Sequence, residues 1–204
     1  MKNSPLISVS PEFAESETIV KAKIRGLSSD ISVRVYKVTP TSFAARACSF
    51  TENKVIPKVN MRALYRAEHS PIRTQLFWIE LFNIPTFVSV HFVRHKIGVE
   101  HFVQSNREDR GGDIKADRLT PINHLMFANA NALIHMARKR LCNRSHIITQ
   151  AVMGAITLAM HYLDPDLAVA MVPECKYRGR CPEYKPCGQE IWDLEAKLKN
   201  AQIV

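Results

Sequence analysis

The densest gathering of chemistry-bearing side chains in this 204-residue sequence is Phe92–Arg107, FVRHKIGVEHFVQSNR, where Arg94, His95, Lys96, His101, Ser105 and Arg107 surround one apolar segment. Arg offers a planar fork to phosphate oxygens, and Lys adds a compact point charge. A Ser hydroxyl can donate to an oxygen that the larger groups do not reach. Such a set suits a phosphate-bearing ligand. A solvated basic turn between two core elements would use the same residue types, since surface Arg and Lys are common. No motif places a base beside Ser105, so it reads as a phosphate ligand and not as a nucleophile.

The elements that must position this motif are legible on both sides of it. Thr18–Arg25 and Ile31–Val38 alternate apolar and polar residues around a turn-rich Gly26–Asp30, which predicts two strands joined as a hairpin. Ser42–Ser49 is short, Ala-rich and helical in character, and Lys58–Glu68 has helical spacing at Val59, Leu64 and Ala67. The run QLFWIELFNI from Gln75 to Ile84 alternates and is rich in aromatic and β-branched residues, which predicts a strand stopped by Pro85. Pro85 is placed to be the first residue of a helix, TFVSVHFVR, that delivers Arg94 at its C-terminal end. Gly111 and Gly112 mark a break. Beyond Pro121, apolar residues at Ile122, Leu125, Met126, Ala130, Leu133, Ile134 and Ala137 predict one amphipathic helix, with His124, Asn131, His135 and Arg138 on its other face. A further helix is predicted from about Ser145 to Tyr162, ending before Pro165. There is no internal repeat and no low-complexity segment.

A chain of this length with 46% hydrophobic residues can bury one substantial core, so a single domain over residues 1–204 is the simplest expectation. The net charge of +9 points to anionic partners. Basic residues are spread through patterned segments and form no long block, which favours a small anionic ligand over nucleic acid. The N-terminal residues lack a signal-peptide pattern and no run is long and apolar enough to span a bilayer, so the expectation is a soluble, cytoplasmic protein. Five cysteines then read as reduced thiols. Cys175, Cys181 and Cys187 have five residues between neighbours, wider than the pairs of structural zinc sites, so no metal is expected there.

Three collinear segments resemble the flavin-dependent thymidylate synthase family. The family signature, Arg-His-Arg, a short spacer and Ser-x-Arg, is resembled by Arg94-His95-Lys96, eight intervening residues and Ser105-Asn106-Arg107, with Lys as the third basic residue and a spacer one residue longer than usual. Ala128–Arg144, ANANALIHMARKRLCNR, is similar to the family's Asn-Ala-Arg-x-Leu helix followed by Leu-Arg-x-Cys-Asn-Arg. Pro173–Gly188, PECKYRGRCPEYKPCG, resembles the Cys-containing tail of many members, expected here over about 173–204. Ala44–Ser49 and Glu68–Pro71 fall where the family has Ala-Arg-x-Ser and His-Ser/Thr-Pro elements. The chain departs from the pattern at His91, usually Gln, and at Ser145-His146-Ile147-Ile148, usually Ala-Gln-Trp-Glu. Only ten residues separate Arg107 from Arg118, fewer than usual. These departures bear on substrate identity more than on the cofactor.

The resemblance implies an α+β fold, mainly an antiparallel sheet packed with helices, assembled as a homotetramer with shared active sites. It implies FAD as cofactor, NADPH and methylene-tetrahydrofolate as co-substrates, and dUMP or a related pyrimidine nucleotide as substrate. Arg140 would be the catalytic cation at the uracil ring, where a preorganised donor stabilises developing charge. The nucleotide would be held by Ser105, Asn106, Arg107 and Arg118, with His91 beside the base. Arg94, His95 and Lys96 would face FAD, helped by Ser70, Asn129 and His135. Arg140 also follows Arg138 and Lys139 at a helix C-terminus, where the dipole favours cations for structural reasons alone. Two further readings are a related enzyme making a hydroxymethylated or otherwise modified pyrimidine nucleotide, and a basic nucleic-acid-binding protein.

Overall fold

Period-two alternation builds the sheet on which every other element rests. The structure is a computed structural model that describes residues 16–23, 27, 30–113 and 115–188. Strands β1 (Ser16–Ala22), β2 (Ile31–Lys37), β3 (Leu76–Pro85), β4 (Val99–Val103) and β5 (Pro121–Asn129) form one antiparallel sheet in the order β1-β2-β3-β5-β4. Val33, Val35, Phe77, Ile79, Leu81, Met126 and Ala128 point to the same buried face. The predicted hairpin is present as β1 and β2, although Ile24, Arg25 and part of its turn lie outside the described residues.

Seven α-helices are found among the described residues: α1 (Ser42–Glu52), α2 (Met61–Ala67), α3 (Thr86–Phe92), α4 (Ala130–Arg140), α5 (Ile147–Leu163), α6 (Pro165–Ala170) and α7 (Glu174–Arg178). Helix α5 lies across β1 and β2 and is buried along Val152, Met153, Ala155, Ile156, Ala159 and Met160. Each of the larger ones, Val152, Met153, Ile156 and Met160, contributes roughly 1.5–3 kcal/mol relative to exposure. Thr157 sits in that apolar face because its hydroxyl donates to the Met153 carbonyl at 2.9 Å, which leaves no unpaired polar group. Helix α2 starts later than the Lys58 read from the sequence: Asn60 accepts a hydrogen bond from the Ala63 N–H at 3.1 Å and so caps it.

One expectation fails. The segment after Pro121 is not a continuous helix, because Pro121–Asn129 is strand β5, paired with β3 on one side and β4 on the other. Ile122, His124, Met126 and Ala128 are buried while Asn123, Leu125 and Phe127 face outward, a period of two. Ile122, Leu125 and Met126 also satisfy a three-and-four spacing, so the apolar pattern fits both periods. Asn129 ends the ambiguity by capping α4, its side chain accepting from the Ala132 N–H at 2.9 Å. His124 is therefore a core residue, 1% exposed, and not part of a polar helix face.

The turn between α3 and β4 depends on Gly98. Its φ is +74°, and a Cβ there would stand 2.5 Å from Asn129 Nδ2, while the Gly98 carbonyl accepts from the Asn129 N–H at 2.9 Å. Gly98→Ala therefore meets both backbone strain and the α4 cap, and is expected to cost more than about 1 kcal/mol in stability. A urea midpoint indistinguishable from that of the parent protein would contradict this role.

Candidate functional site

The exit of α3, the C-terminal end of α4 and the loop before β5 bring the basic residues together. Helix α3 carries His91 in its last turn and releases the chain into the Arg94-His95-Lys96 turn before β4. Helix α4 starts at its Asn129 cap and ends on Arg140. The link from α4 to α5 is held by Gln150, whose side-chain amide donates to the Leu141 carbonyl at 2.7 Å and to Asn143 Oδ1 at 3.1 Å. That link ends in His146, whose Nδ1 accepts from the Ile148 N–H at 3.3 Å and caps α5. The loop before β5 is tied to α3 by the Thr86 N–H to Thr120 carbonyl and Phe87 N–H to Arg118 carbonyl bonds, at 3.0 and 3.1 Å.

Arg140 is the centre of the resulting cluster. Its Nε donates to His95 Nε2 at 3.0 Å and its Nη2 to the His91 carbonyl at 2.7 Å. A guanidinium has five N–H donors, so this anchoring leaves several for a ligand. Burial, and then the neighbouring Arg94 charge, pull the Arg140 pKa below its ordinary value. His91 Nδ1 lies 2.8 Å from Thr149 Oγ1 at the start of α5. Burial lowers its pKa, followed by the charges of Arg140, Arg94, His146 and Arg118, none of them a carboxylate. Phe87 forms the apolar floor: the His146 ring is 4.5 Å from it edge-on, the His91 ring 5.6 Å, and the Arg118 guanidinium stacks over it at 5.2 Å.

Among the described residues no carboxylate pairs with Arg94, Arg118 or Arg140, whereas Arg34, Arg62, Arg107, Arg138 and Arg178 each meet one. Self-repulsion of this kind is relieved by an anionic ligand, so the residues present fit a phosphate-bearing cofactor or substrate. His95 is neutral within the cluster. Its pKa is lowered to about 4 by burial first, then by Arg140, His101 and His135. It contributes hydrogen bonding and shape where the sequence suggested a basic triplet.

The other expected residues are placed differently. Arg107 lies on the loop after β4, where Asp109 grips it through Nε at 2.9 Å and Nη2 at 2.6 Å; the Arg107 N–H donates to Ser105 Oγ at 3.2 Å. Asn106 lies on the same loop, and Gly112 approaches its backbone so closely that a Cβ at Gly112 would not fit. His135 is exposed on α4 and donates to Glu68 at 2.8 Å, and Arg138 pairs with the same carboxylate while stacking 3.6 Å over the Tyr177 ring. Ser70 begins a short 3-10 turn two residues after Glu68. Asn129 holds the α4 cap. Thus Arg94, His95, Arg140, His91 and Arg118 converge, whereas Ser105–Arg107 and the His135 group are separately engaged within this chain.

Sequence reading missed Phe87, His146 and Thr149. His146 was visible only as a departure from a pattern, and Phe87 looks like any core aromatic until the loop bearing Arg118 folds over it. For Cys142, Cys175, Cys181 and Cys187, no group of metal-holding geometry exists among the described residues.

Acid should weaken the fold through this site before ordinary carboxylates titrate. His95 and His124 have folded pKa values of about 4, lowered from 6.5, so protons bind the unfolded chain more readily. Their stabilisation is full above pH 6.5 and is lost as the pH falls towards 4. Glu68, whose pKa is held below 4.5, adds its own loss only lower still. Urea midpoints measured across this range should fall between pH 6.5 and 4.5, and a flat profile there would contradict the burial of neutral imidazoles.

No protein-family model and no curated protein sequence matches the chain. Solved structures do. The UMP/dUMP methylase PolB of Streptomyces cacaoi, solved with 5-Br dUMP, superposes with a TM-score of 0.58 at 16% identity, covering 71% of this chain and 95% of that one. Thymidylate synthase X of Helicobacter pylori, solved with FAD and dUMP, superposes with a TM-score of 0.53 at 13% identity, covering 66% of this chain and 98% of that one. The α+β fold is therefore that of the flavin-dependent thymidylate synthases, as the sequence resemblance implied.

Proposed function

We propose that the chain is an FAD-dependent, thymidylate synthase-like enzyme. It would transfer a one-carbon unit from methylene-tetrahydrofolate to C5 of dUMP, with hydride from reduced flavin and NADPH as the source of reducing power. The observation that carries this reading is the cation cluster around Arg140, without a paired carboxylate among the described residues, set in a fold shared with one protein solved with FAD and dUMP and another solved with 5-Br dUMP. When bound, FAD supplies the hydride chemistry.

The protein's part is binding and electrostatics. Arg94 and Lys96 supply charge to the flavin phosphates, and neutral His95 supplies a hydrogen-bonding edge, with Ser70, Asn129 and His135 contributing from the α2–α4 side. Ser105, the Asn106 backbone, Arg107 and Arg118 hold the nucleotide phosphate, and His91 stands beside the base. Arg107 exchanges its Asp109 partner for phosphate on binding. Arg140 donates to the pyrimidine edge and stabilises negative charge as it develops on the ring, a role for a fixed donor in a partly desolvated site. A homotetramer with shared clefts brings the Ser105–Arg107 loop of one copy to the Arg94–Arg140 cluster of another.

Purified protein mixed with excess FAD should retain it and turn yellow. Given NADPH, methylene-tetrahydrofolate and dUMP, it should release a product heavier by a methyl group. Failure to retain or quench flavin would end this reading, and a hydroxymethylated product would transfer the chain to the related modifying enzymes.

A further inference from the structure

His124 is the most deeply buried imidazole in the described chain, and the proposed chemistry makes no use of it. It sits 1% exposed on the inner face of β5, edge-on to Phe92 at 6.4 Å, with no partner for its Nδ1. Its Nε2 lies 3.0 Å from Nδ1 of His101 on β4, and Nε2 of His101 lies 2.7 Å from the carbonyl oxygen of His95. His95 in turn accepts the Arg140 Nε–H at its own Nε2. The contacts run without a gap from the sheet core to the guanidinium.

We infer that His101 and His124 are positioning residues, which pin the Arg94–Lys96 turn and thereby present His95 to Arg140 as the neutral imidazole protonated on Nδ1. The functional consequence rests on the reading of Arg140 above; the proton assignment does not.

Proton bookkeeping along the chain is constrained. A carbonyl oxygen accepts only, so His101 Nε2 carries hydrogen and donates to His95 O. In neutral His101 the Nδ1 is bare and accepts from His124 Nε2–H, leaving a bare, buried His124 Nδ1. Were His101 cationic, His124 would accept at Nε2, and its Nδ1–H would be a buried donor with no partner beside a buried charge. Orphaned buried N–H groups are the costlier defect, so the neutral arrangement prevails. At the far end, Arg140 is always a donor, so His95 Nε2 is bare and its proton sits on Nδ1. The groups acting on His95, namely Arg140, His101 and His135, include no carboxylate that would favour imidazolium.

Neither His101 nor His124 reaches ligand in this scheme. Each acts through the turn: without the His101 donor the His95 carbonyl is free, the turn loosens, and Arg140 loses the acceptor that orients its Nε edge. Held by the His91 carbonyl alone, the guanidinium can pivot about that one bond, and its remaining donors are less firmly fixed towards the ring.

The test is nitrogen NMR of the ligand-free protein labelled with 15N-histidine, compared with His101→Phe and His101→Gln. The Gln amide nitrogen can reach the place of imidazole Nε2 and donate to the His95 carbonyl, whereas Phe cannot. The parent protein should show the bare-nitrogen signature at His95 Nε2 and the protonated one at Nδ1. His101→Gln should keep both, and His101→Phe should drive them towards tautomer averaging. A parent His95 protonated on Nε2, or a His101→Phe protein with unchanged His95 nitrogens, overturns the inference. These outcomes need neither flavin nor nucleotide. In the turnover assay, His101→Phe should lower kcat several-fold, with recovery in His101→Gln. A tautomer change at unaltered turnover would uphold the positioning role and count against Arg140 as the ring-activating group.

Discussion

Replacing Arg140 by Ala is expected to lower dUMP turnover by about 10²–10³-fold, the usual loss when one preorganised charge-stabilising donor is removed. Flavin retention should survive, because Arg94 and Lys96 are untouched. Two hydrogen bonds fix Arg140, to His95 Nε2 and to the His91 carbonyl, so its free edge has a defined direction before any ligand arrives. Arg140→Lys keeps the charge but cannot span both acceptors and still offer donors to a ring, and it should recover little of the loss. Parallel measurement of kcat and of flavin stoichiometry separates the outcomes. Loss of flavin along with activity would give Arg140 a structural role, at the helix C-terminus where cations are favoured anyway.

The largest effect on stability is expected from Asp164→Ala. Asp164 is 6% exposed, and its Oδ2 accepts from Lys37 Nζ at 3.1 Å and from the Tyr65 hydroxyl at 3.0 Å. Its Oδ1 accepts from the Leu167 N–H at 3.1 Å and caps α6. One carboxylate thus joins β2, α2 and α6. Burial, and then the Asp164 charge, hold the Tyr65 phenol protonated as a donor. Without Asp164 the Lys37 ammonium, 8% exposed, is left buried with no counter-charge, a defect that costs about 3–5 kcal/mol. Lys37→Met combined with Asp164→Asn removes the stranded charge and retains the cap, and should recover much of that loss. Urea midpoints for the single and double variants decide the matter; an Asp164→Ala change within about 0.5 kcal/mol, as for an ordinary surface site, would contradict it.

Local chemistry was legible in the sequence wherever a single period or a stop signal acted alone. β3 and α3 follow from alternation up to Pro85, and α5 from an apolar run closed by Pro165. β5 was misread because its apolar residues satisfy two periods, and only pairing with β3 and β4 selects one of them. Sequence also could not show that Asn129 is spent on a helix cap, or that the Arg107 fork is engaged by Asp109. Both are contacts whose partners are chosen by loop geometry. The family resemblance implied roles for Arg94, Arg107, Arg140 and His91; the structure brings Arg94, Arg140 and His91 together and holds Arg107 on Asp109, whereas Phe87, His146 and Thr149 join through tertiary packing that carries no local signature. His124 shows the same limit from the other side, since a polar residue on a strand's inner face looks like an exposed one until its neighbours are known.

In the proposed enzyme the Arg94–Arg140 cluster and the Ser105–Arg107 loop grip two phosphorylated molecules together in one cleft. Joint binding is read out by titrating dUMP into FAD-loaded protein while following the flavin absorbance. A saturable spectral change is expected with flavin remaining bound, and that change should be lost in Arg140→Ala. Displacement of flavin by dUMP, or a flavin spectrum indifferent to saturating dUMP, would contradict it.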